Sequence, residues 1–196
     1  MVSVFRTTVR LDPSRAPGDV YALHQAVAAA TGNAAYPRVL WAQPAPDLLV
    51  IHSPAEPRVE RIPGCIHAHI RPAPDPSAWP SGTTVKFGLI GNPIRSVGRL
   101  RPDGTPSRNP GRYPLPVEAR PAWLRRKLGM ALQIAELQHQ QLPPARSGPP
   151  KQITITRHLF TGHGTVTDPR LLAGLTWAGV GAGKGLGCGL LLVDAR

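Results

Sequence analysis

The segment GVGAGKGLGCGLLLV, residues 179–193, has a glycine at every odd position from 179 to 189 and ends in an apolar run. Glycine loses more conformational freedom on folding than any other residue, so six of them at alternate positions need a reason. The spacing excludes the dinucleotide-binding fingerprint and the P-loop, because both contain glycines an odd number of positions apart. We therefore expect a loop that enters a strand with one bare face, against which another element packs or a ligand binds closely.

The charge balance indicates a polyanionic partner. The 196-residue chain contains 23 Lys and Arg but only 11 Asp and Glu, which gives a net charge of +12. An excess of this size is typical of proteins that bind nucleic acid or acidic membranes. No apolar stretch is long enough to span a membrane and no basic amphipathic helix with a broad apolar face stands out, so nucleic acid is favoured. Two cysteines do not make a disulfide framework and no signal peptide opens the sequence, so we expect a cytoplasmic protein.

The order of predicted elements favours an α+β fold. The first ninety residues read as a strand, a helix over residues 19–32 and four further strands. The second half reads as a helix from residue 119 to about residue 137, a hairpin or two edge strands over residues 151–167, a short helix and a final strand. This pattern predicts a tandem ferredoxin-like architecture of two βαββαβ halves, residues 1–91 and 92–196, although the second helix of the first half is not visible.

Basic residues concentrate in the middle of the chain. Between Asn92 and Lys151 there are eleven Lys and Arg but only three acidic residues. The part from residue 92 to about residue 118 is rich in Pro, Gly and Arg and predicts a long loop. The whole stretch is either a solvated basic region or a surface that follows a phosphate backbone. The candidate RNA contacts on the second helix and around the hairpin are Arg125, Arg126, Lys127, Lys151 and Arg157.

Few residues stand out as candidates for catalysis or metal binding. Tyr21 and His24 are three residues apart on the first helix, so they are surface neighbours, with His24 at the edge of the apolar stripe and Tyr21 further round. A histidine at such a position is more often structural than catalytic. Cys65, His67 and His69 alternate on a predicted strand and offer three zinc ligands, but no fourth ligand is evident and we predict no metal site. The scattered carboxylates argue against a two-metal nuclease.

Taken together, several segments resemble the CasE family, the CRISPR-RNA-processing endoribonucleases of type I-E CRISPR systems. The resemblance covers the chain from end to end and rests on YALHQAV, RVLW, LLVIHS, FGLIGNP, AWLRRK, GTVTDP and the terminal glycine-rich segment. Ala182 departs from the family pattern, which commonly has an arginine there, and Gly185-Leu186 replaces Ala-Phe. The positions of the terminal motif that match are Gly179, Gly181, Lys184, Gly187, Cys188, Gly189, Leu190 and Leu191.

The resemblance implies an activity. It implies that the protein binds the stem-loop of CRISPR repeat transcripts and cuts at the 3′ base of the stem without metal or cofactor. It also implies that the product crRNA stays bound and that the protein joins other subunits in the complex called Cascade. Tyr21 and His24 would serve catalysis by 2′-OH attack, which leaves a 2′,3′-cyclic phosphate.

The glycine-rich segment would then meet the RNA backbone. Charge stabilisation requires a cation or backbone N–H groups, so we expect RNA to contact Lys184 and the loop glycines, namely Gly181, Gly183, Gly185 and Gly187. Two alternatives remain: a non-catalytic RNA-binding subunit of the same fold, and a zinc-containing scaffold that uses Cys65, His67 and His69.

Overall fold

Two four-stranded antiparallel sheets and a two-stranded ribbon form the framework of the described part of the chain. The computed structural model describes residues 4–32, 38–98, 101, 104–105, 111–148 and 152–196. The strands are β1 (Phe5–Leu11), β2 (Leu40–Ala45), β3 (Leu48–Ser53), β4 (Cys65–Pro72), β5 (Thr84–Gly91), β6 (Ile94–Val97), β7 (Gly111–Pro114), β8 (Leu132–Arg146), β9 (Thr154–Val166) and β10 (Leu191–Ala195). The α-helices are α1 (Val20–Thr31), α2 (Arg120–Leu128) and α3 (Pro169–Ala178).

The first half consists of β1, α1, β2, β3 and β4, with the sheet order β2-β3-β1-β4. The helix predicted over residues 19–32 is confirmed. The side chain of Asp19 caps α1 by accepting hydrogen bonds from the backbone N–H groups of Tyr21 and Ala22, both at 2.8 Å. Gly32, at φ 71°, ends it. A 3₁₀ turn over Val59–Arg61 occupies the chain position of the second helix of a βαββαβ unit.

The second half repeats the βαββαβ order in β5, α2, β8, β9, α3 and β10. Its sheet order, β10-β5-β9-β8, matches that of the first half when equivalent strands are compared. β5 pairs along its whole length with β9, from Thr84 opposite Thr165 to Gly91 opposite His158. The predicted boundary after residue 91 is therefore too late, because β5 belongs to the second sheet and the chain passes between the sheets after β4.

The middle of the chain shows the largest differences from the sequence prediction. α2 ends at Leu128, so the helix predicted to about residue 137 is wrong beyond that point. The following residues form β8, which pairs with β9 from Leu132 opposite Val166 to Arg146 opposite Thr154. Their apolar spacing fits both a helix and a strand, and pairing with β9 decides in favour of the strand. The predicted hairpin is one strand, β9, and the predicted long loop contains the ribbon of β6 and β7.

The two halves share a core. One apolar cluster joins α1, β1, β2 and β3 to Leu142, Ile155 and Leu190 of the second half. Between the sheets, the buried Arg6 donates to both carboxylate oxygens of Asp194 at 2.7 and 2.9 Å, and to the carbonyl oxygen of Val193 at 3.0 Å. These contacts fix β1 against β10, so the two sheets have a defined relative position. No helix in the described residues is both long and apolar enough to cross a membrane.

Two buried histidines are neutral in this fold. Arg120 Nη1 lies 2.9 Å from His158 Nδ1, and His158 Nε2 lies 2.9 Å from His139 Nδ1. Because a guanidinium only donates, His158 accepts at Nδ1 and carries its proton on Nε2. Burial, with the charge of Arg120, lowers the pKa of His158 to about 4. Burial and the charge of Arg6 lower the pKa of His52 to about 3.

These histidines make stability depend on pH. In the unfolded chain His158 takes up a proton below the ordinary histidine pKa of 6.5, whereas in the folded state it does so only near pH 4. The free energy of unfolding should therefore decrease as the pH is lowered from 6.5 to about 4. Thermal melting at a series of pH values measures the slope of stability against pH. His158→Gln, which keeps a donor and an acceptor but does not titrate, should reduce the slope. Equal slopes in wild type and His158→Gln would contradict this account.

Candidate functional site

The glycine-rich segment is a turn of left-handed backbone. The φ angles of Gly179, Gly181, Gly183, Gly187 and Gly189 lie between 75° and 88°. Only glycine adopts this region without strain, which explains five of the six glycines. The expected strand with a bare face is wrong, because β10 begins at Leu191, after the last glycine. Between α3 and β10 the chain forms a loop with one 3₁₀ turn, Lys184–Leu186.

This turn packs between the two halves of the protein. A β-carbon at Gly187 would lie 2.7 Å from the ring of Trp41 in β2, and one at Gly181 would lie 2.8 Å from the ring of Trp123 in α2. At these two glycines, a tryptophan ring therefore fills the space that a side chain would need, and no ligand can approach from that direction. Backbone hydrogen bonds from Val180 to Gly189, 2.8 Å, and from Gly189 to Ile90, 2.7 Å, close the base of the turn.

Gly185, at the tip of the turn, differs from its neighbours. Its φ lies outside the left-handed region, and a β-carbon there would meet nothing closer than Cε1 of His24, at 3.9 Å. Gly185 and His24 lie in one cleft of about 170 Å³. Its lining residues are His24, Val27, Ala28, Thr31, Gly32, Arg38, Val39, Trp41 and Gly185. The structure thus brings the predicted catalytic helix and the glycine-rich turn together.

Tyr21 and His24 lie side by side at the surface of α1. Their ring centroids are 6.2 Å apart, His24 is half-buried, and Tyr21 is 50% exposed. The Asp19 cap and the buried residues Leu23 and Val27 hold the helix in place, so His24 lies at the edge of the apolar stripe and Tyr21 further round, as predicted. An imidazole and a phenol at this spacing can act together in proton transfer.

Cations surround the tip of the turn. Burial, and then the charges of Arg38 and Lys127, lower the pKa of Lys184. Arg38 from the first half lines the cleft beside Gly185, and Lys127 from α2 lines a second cleft together with Lys184. Among the described residues, the ion pairs involve Arg6, Arg10, Arg71 and His163, and none of these three cations. Sequence reasoning did not select Arg38, although the first helix carries no Lys or Arg and Arg38 is the first such residue after Asp19.

The other predicted RNA contacts lie elsewhere. Arg125 donates to the carbonyl oxygen of Ile134 at 3.1 Å and lines a cleft beside β8. Arg157 donates to the carbonyl oxygens of Pro143 at 3.2 Å and Gln43 at 3.4 Å, so it ties β9 to the first half. Arg126 is exposed on α2. Lys151 lies outside the described residues. The structure therefore brings Lys127, but not Arg125 or Arg157, to the clefts beside Lys184.

The zinc alternative gains no support from the described residues. His67 and His69 are exposed along β4 and Cys65 is half-buried. Within the described ranges, no three His, Cys, Asp or Glu side chains are grouped so that they could hold a metal ion. The other cysteine, Cys188, is fully buried in the turn, where burial raises the pKa of its thiol to about 12. It is a packing residue.

Comparison with known proteins assigns the family. A family model described as CRISPR associated protein matches residues 4–195. The chain belongs to this CRISPR-associated family. A relative, the Cascade subunit CasE of Escherichia coli strain K12, is 35% identical over 114 residues, which are 56% of this chain and 57% of the length of that relative. The resemblance to the CasE family is therefore confirmed.

Solved structures confirm the architecture. The crystal structure of Cas6e from E. coli K-12 superposes with a TM-score of 0.76 at 25% identity, over 98% of this chain and 100% of that chain. A structure of the CRISPR endoribonuclease Cse3 bound to a 19-nucleotide RNA gives a TM-score of 0.75 at 26% identity, over 97% of this chain and 99% of that chain. Agreement over nearly the whole length, together with the sheet orders, confirms the tandem ferredoxin-like fold of this CRISPR-associated protein.

The glycines of the turn should differ in their tolerance of a side chain. Gly187→Ala combines a left-handed φ with a contact on the Trp41 ring, and it should lower the melting temperature by at least about 4 °C. Gly185→Ala should leave the melting temperature near that of the wild type, because its β-carbon has room. Differential scanning calorimetry of both variants tests this. Equal losses would mean that the tip of the turn is as tightly packed as its base.

Proposed function

We propose that this CRISPR-associated protein is an endoribonuclease that binds the stem-loop of CRISPR repeat transcripts, cuts at the 3′ base of the stem and keeps the product crRNA bound. The observation that carries the proposal is that His24, beside Tyr21 on α1, lines a cleft together with Arg38 and with Gly185, the residue after Lys184. The name of Cse3 as a CRISPR endoribonuclease, in a structure with bound RNA, supports it. The relative CasE is a Cascade subunit, which supports Cascade subunits as the partners of this chain.

The reaction uses the chemistry of RNA itself. The ribose 2′-oxygen attacks the adjacent phosphorus, the bond from phosphorus to the 5′-oxygen breaks, and a 2′,3′-cyclic phosphate forms. One proton leaves the 2′-hydroxyl and one is delivered to the departing 5′-oxygen. Because imidazole and phenol side chains serve enzymes as general acids and bases, we assign these two transfers to His24 and Tyr21. No metal or protein nucleophile is required.

The reaction also requires stabilisation of negative charge on the phosphate, and the cations beside the cleft can supply it. Negative charge grows on the phosphate oxygens as the 2′-oxygen attacks, and a positive group held in place stabilises it. Lys184 sits on a turn that is clamped by packing and hydrogen bonds, so little reorganisation is needed when charge develops. Arg38 lines the His24 cleft from the first half, and Gly185, the residue after Lys184, lines it from the turn. We assign the stabilisation of this charge to Lys184 and Arg38, whereas the sequence alone indicated Lys184 and the backbone N–H groups of the glycine-rich segment.

Cleavage should proceed in EDTA and should depend on one hydroxyl group. A repeat RNA with 2′-deoxyribose at the nucleotide 5′ of the cut should bind as tightly as the all-ribose RNA but remain intact, because the nucleophile is absent. Gel analysis of both RNAs, with and without EDTA, tests this. Normal cleavage of the deoxy substrate would overturn the internal attack, and binding without cleavage of the all-ribose RNA would support the non-catalytic RNA-binding subunit.

Removal of the imidazole should slow the chemical step. His24→Ala should lower the single-turnover rate by about 10²–10⁴, the usual contribution of a general acid or base. RNA affinity should change little, since phosphate contacts dominate binding. His69→Ala, at an exposed histidine on β4, is the matched control and should cleave at the wild-type rate. If His24→Ala does so as well, His24 is a structural residue.

A further inference from the structure

A second cleft lies against the same glycine-rich turn. It has a volume of about 480 Å³, within the range of small-molecule sites. Its lining residues come from the turn, from α2, from the end of α3 and from the β6–β7 ribbon. They are Asn92, Ile94, Ser96, Arg112, Trp123, Lys127, Leu175, Gly179, Val180, Gly181, Ala182 and Lys184. We call it the ribbon cleft.

The ribbon cleft begins where the His24 cleft ends. Lys184 lines the ribbon cleft and Gly185, the next residue, lines the His24 cleft. Consecutive Cα atoms are about 3.8 Å apart, so one peptide unit separates the two. A phosphodiester held at Lys184 for attack beside His24 therefore has its neighbouring nucleotide at the mouth of the ribbon cleft.

The walls of the ribbon cleft are cationic. Arg112 on β7 and Lys127 on α2 are exposed, and they line the cleft together with Lys184. Over the described residues, none of these three cations takes part in an ion pair. Three positive groups gathered without a carboxylate favour an anion with more than one charge, such as consecutive phosphates of a nucleic acid.

Asn92 gives the cleft a polar group of another kind. Its side chain is among the lining residues, although it is only 9% exposed. Its Oδ1 is buried and accepts no hydrogen bond from the described residues. An unpaired buried acceptor is unfavourable, and a donor supplied by a ligand would satisfy it. Phosphate oxygens at neutral pH do not donate, so the complementary group is a hydroxyl or an amino group.

We propose that the ribbon cleft binds the first unpaired nucleotide downstream of the cut, with its 3′-phosphate between Arg112 and Lys127 and its ribose or base donating to Asn92. The inference rests on the proposed function, because cleavage at the 3′ base of the stem defines that nucleotide. The nucleotide upstream of the cut is paired in the stem, whereas the downstream one is free to turn its base and ribose into a cleft. The site thus reads the junction between duplex and single strand.

The experiment compares two RNAs that cannot be cut. Both carry the repeat stem-loop with 2′-deoxyribose 5′ of the cut. The short RNA ends at the scissile phosphate, and the long RNA adds one nucleotide with a 3′-phosphate. Fluorescence anisotropy should show the long RNA binding about tenfold more tightly, which corresponds to about 1.4 kcal/mol. An abasic version of the added nucleotide shows whether the base or the ribose supplies the donor.

Variants locate the gain in the ribbon cleft. Arg112→Ala, Lys127→Ala and Asn92→Ala should each lose most of the tenfold gain while binding of the short RNA changes less. Arg112→Ala and Lys127→Ala should each also lower, by about one unit, the slope of log affinity against log salt concentration for the long RNA. Arg170→Ala, at an exposed cation at the far end of α3, is the control and should keep the gain. Arg112 and Lys127 are exposed, so their variants test the idea even if Asn92→Ala is unstable.

The outcomes distinguish failure of the ribbon-cleft proposal from failure of the proposed nuclease function. If wild type cuts the all-ribose repeat but binds the long and short RNAs equally, the ribbon-cleft proposal is wrong and the nuclease assignment stands. The proposal is also wrong if the gain persists in Arg112→Ala and Lys127→Ala. If the protein neither binds nor cuts the stem-loop, the function and the inference fall together.

Discussion

The site depends on the packing of one glycine-rich turn between two tryptophans. Trp41 belongs to the first half and Trp123 to the second, and the turn approaches both rings where a β-carbon would collide. Only a left-handed backbone without side chains can pass through this gap. As a result, the tip of the turn, Lys184 and Gly185, is held at the junction of the halves beside α1. A site assembled in this way is only as well defined as the relative position of the two halves.

That relative position has its own support. Arg6 is buried and joins β1 to β10 by contacts to Asp194 and Val193, and Arg157 reaches from β9 to β2. The common apolar cluster adds area to these polar contacts. Breaking the buried Arg6 contact would leave an uncompensated charge, which is strongly destabilising. The same contacts that stabilise the fold therefore also fix the distance between His24 on one half and Lys127 on the other.

Sequence reasoning reached the fold class, α1 with its cap, and the pairing of His24 with the glycine-rich segment. It failed where tertiary pairing decides between structures. The apolar residues after Leu128 fit a helix as well as a strand, and only the partner strand β9 shows which one forms. The boundary after residue 91 failed for the same reason, since the sheet to which β5 belongs is not a local property. Arg38 and Asn92 were not selected as site residues because each joins its cleft through long-range packing alone.

The turn also resolves the question that its composition raises. Close packing and close ligand approach looked like alternatives for the alternating glycines, but the structure shows close packing at some of these positions and open space at another. Gly181 and Gly187 face tryptophans, whereas Gly185 faces the His24 cleft with room to spare. Rigid packing at the base is what allows an open tip, because an unsupported loop of glycines would lose its order on the time scale of binding. The unpaired cations around that tip repel one another in the free protein, and a bound polyanion would relieve that repulsion. The same positive charges that destabilise the empty site therefore favour the binding of an anionic ligand.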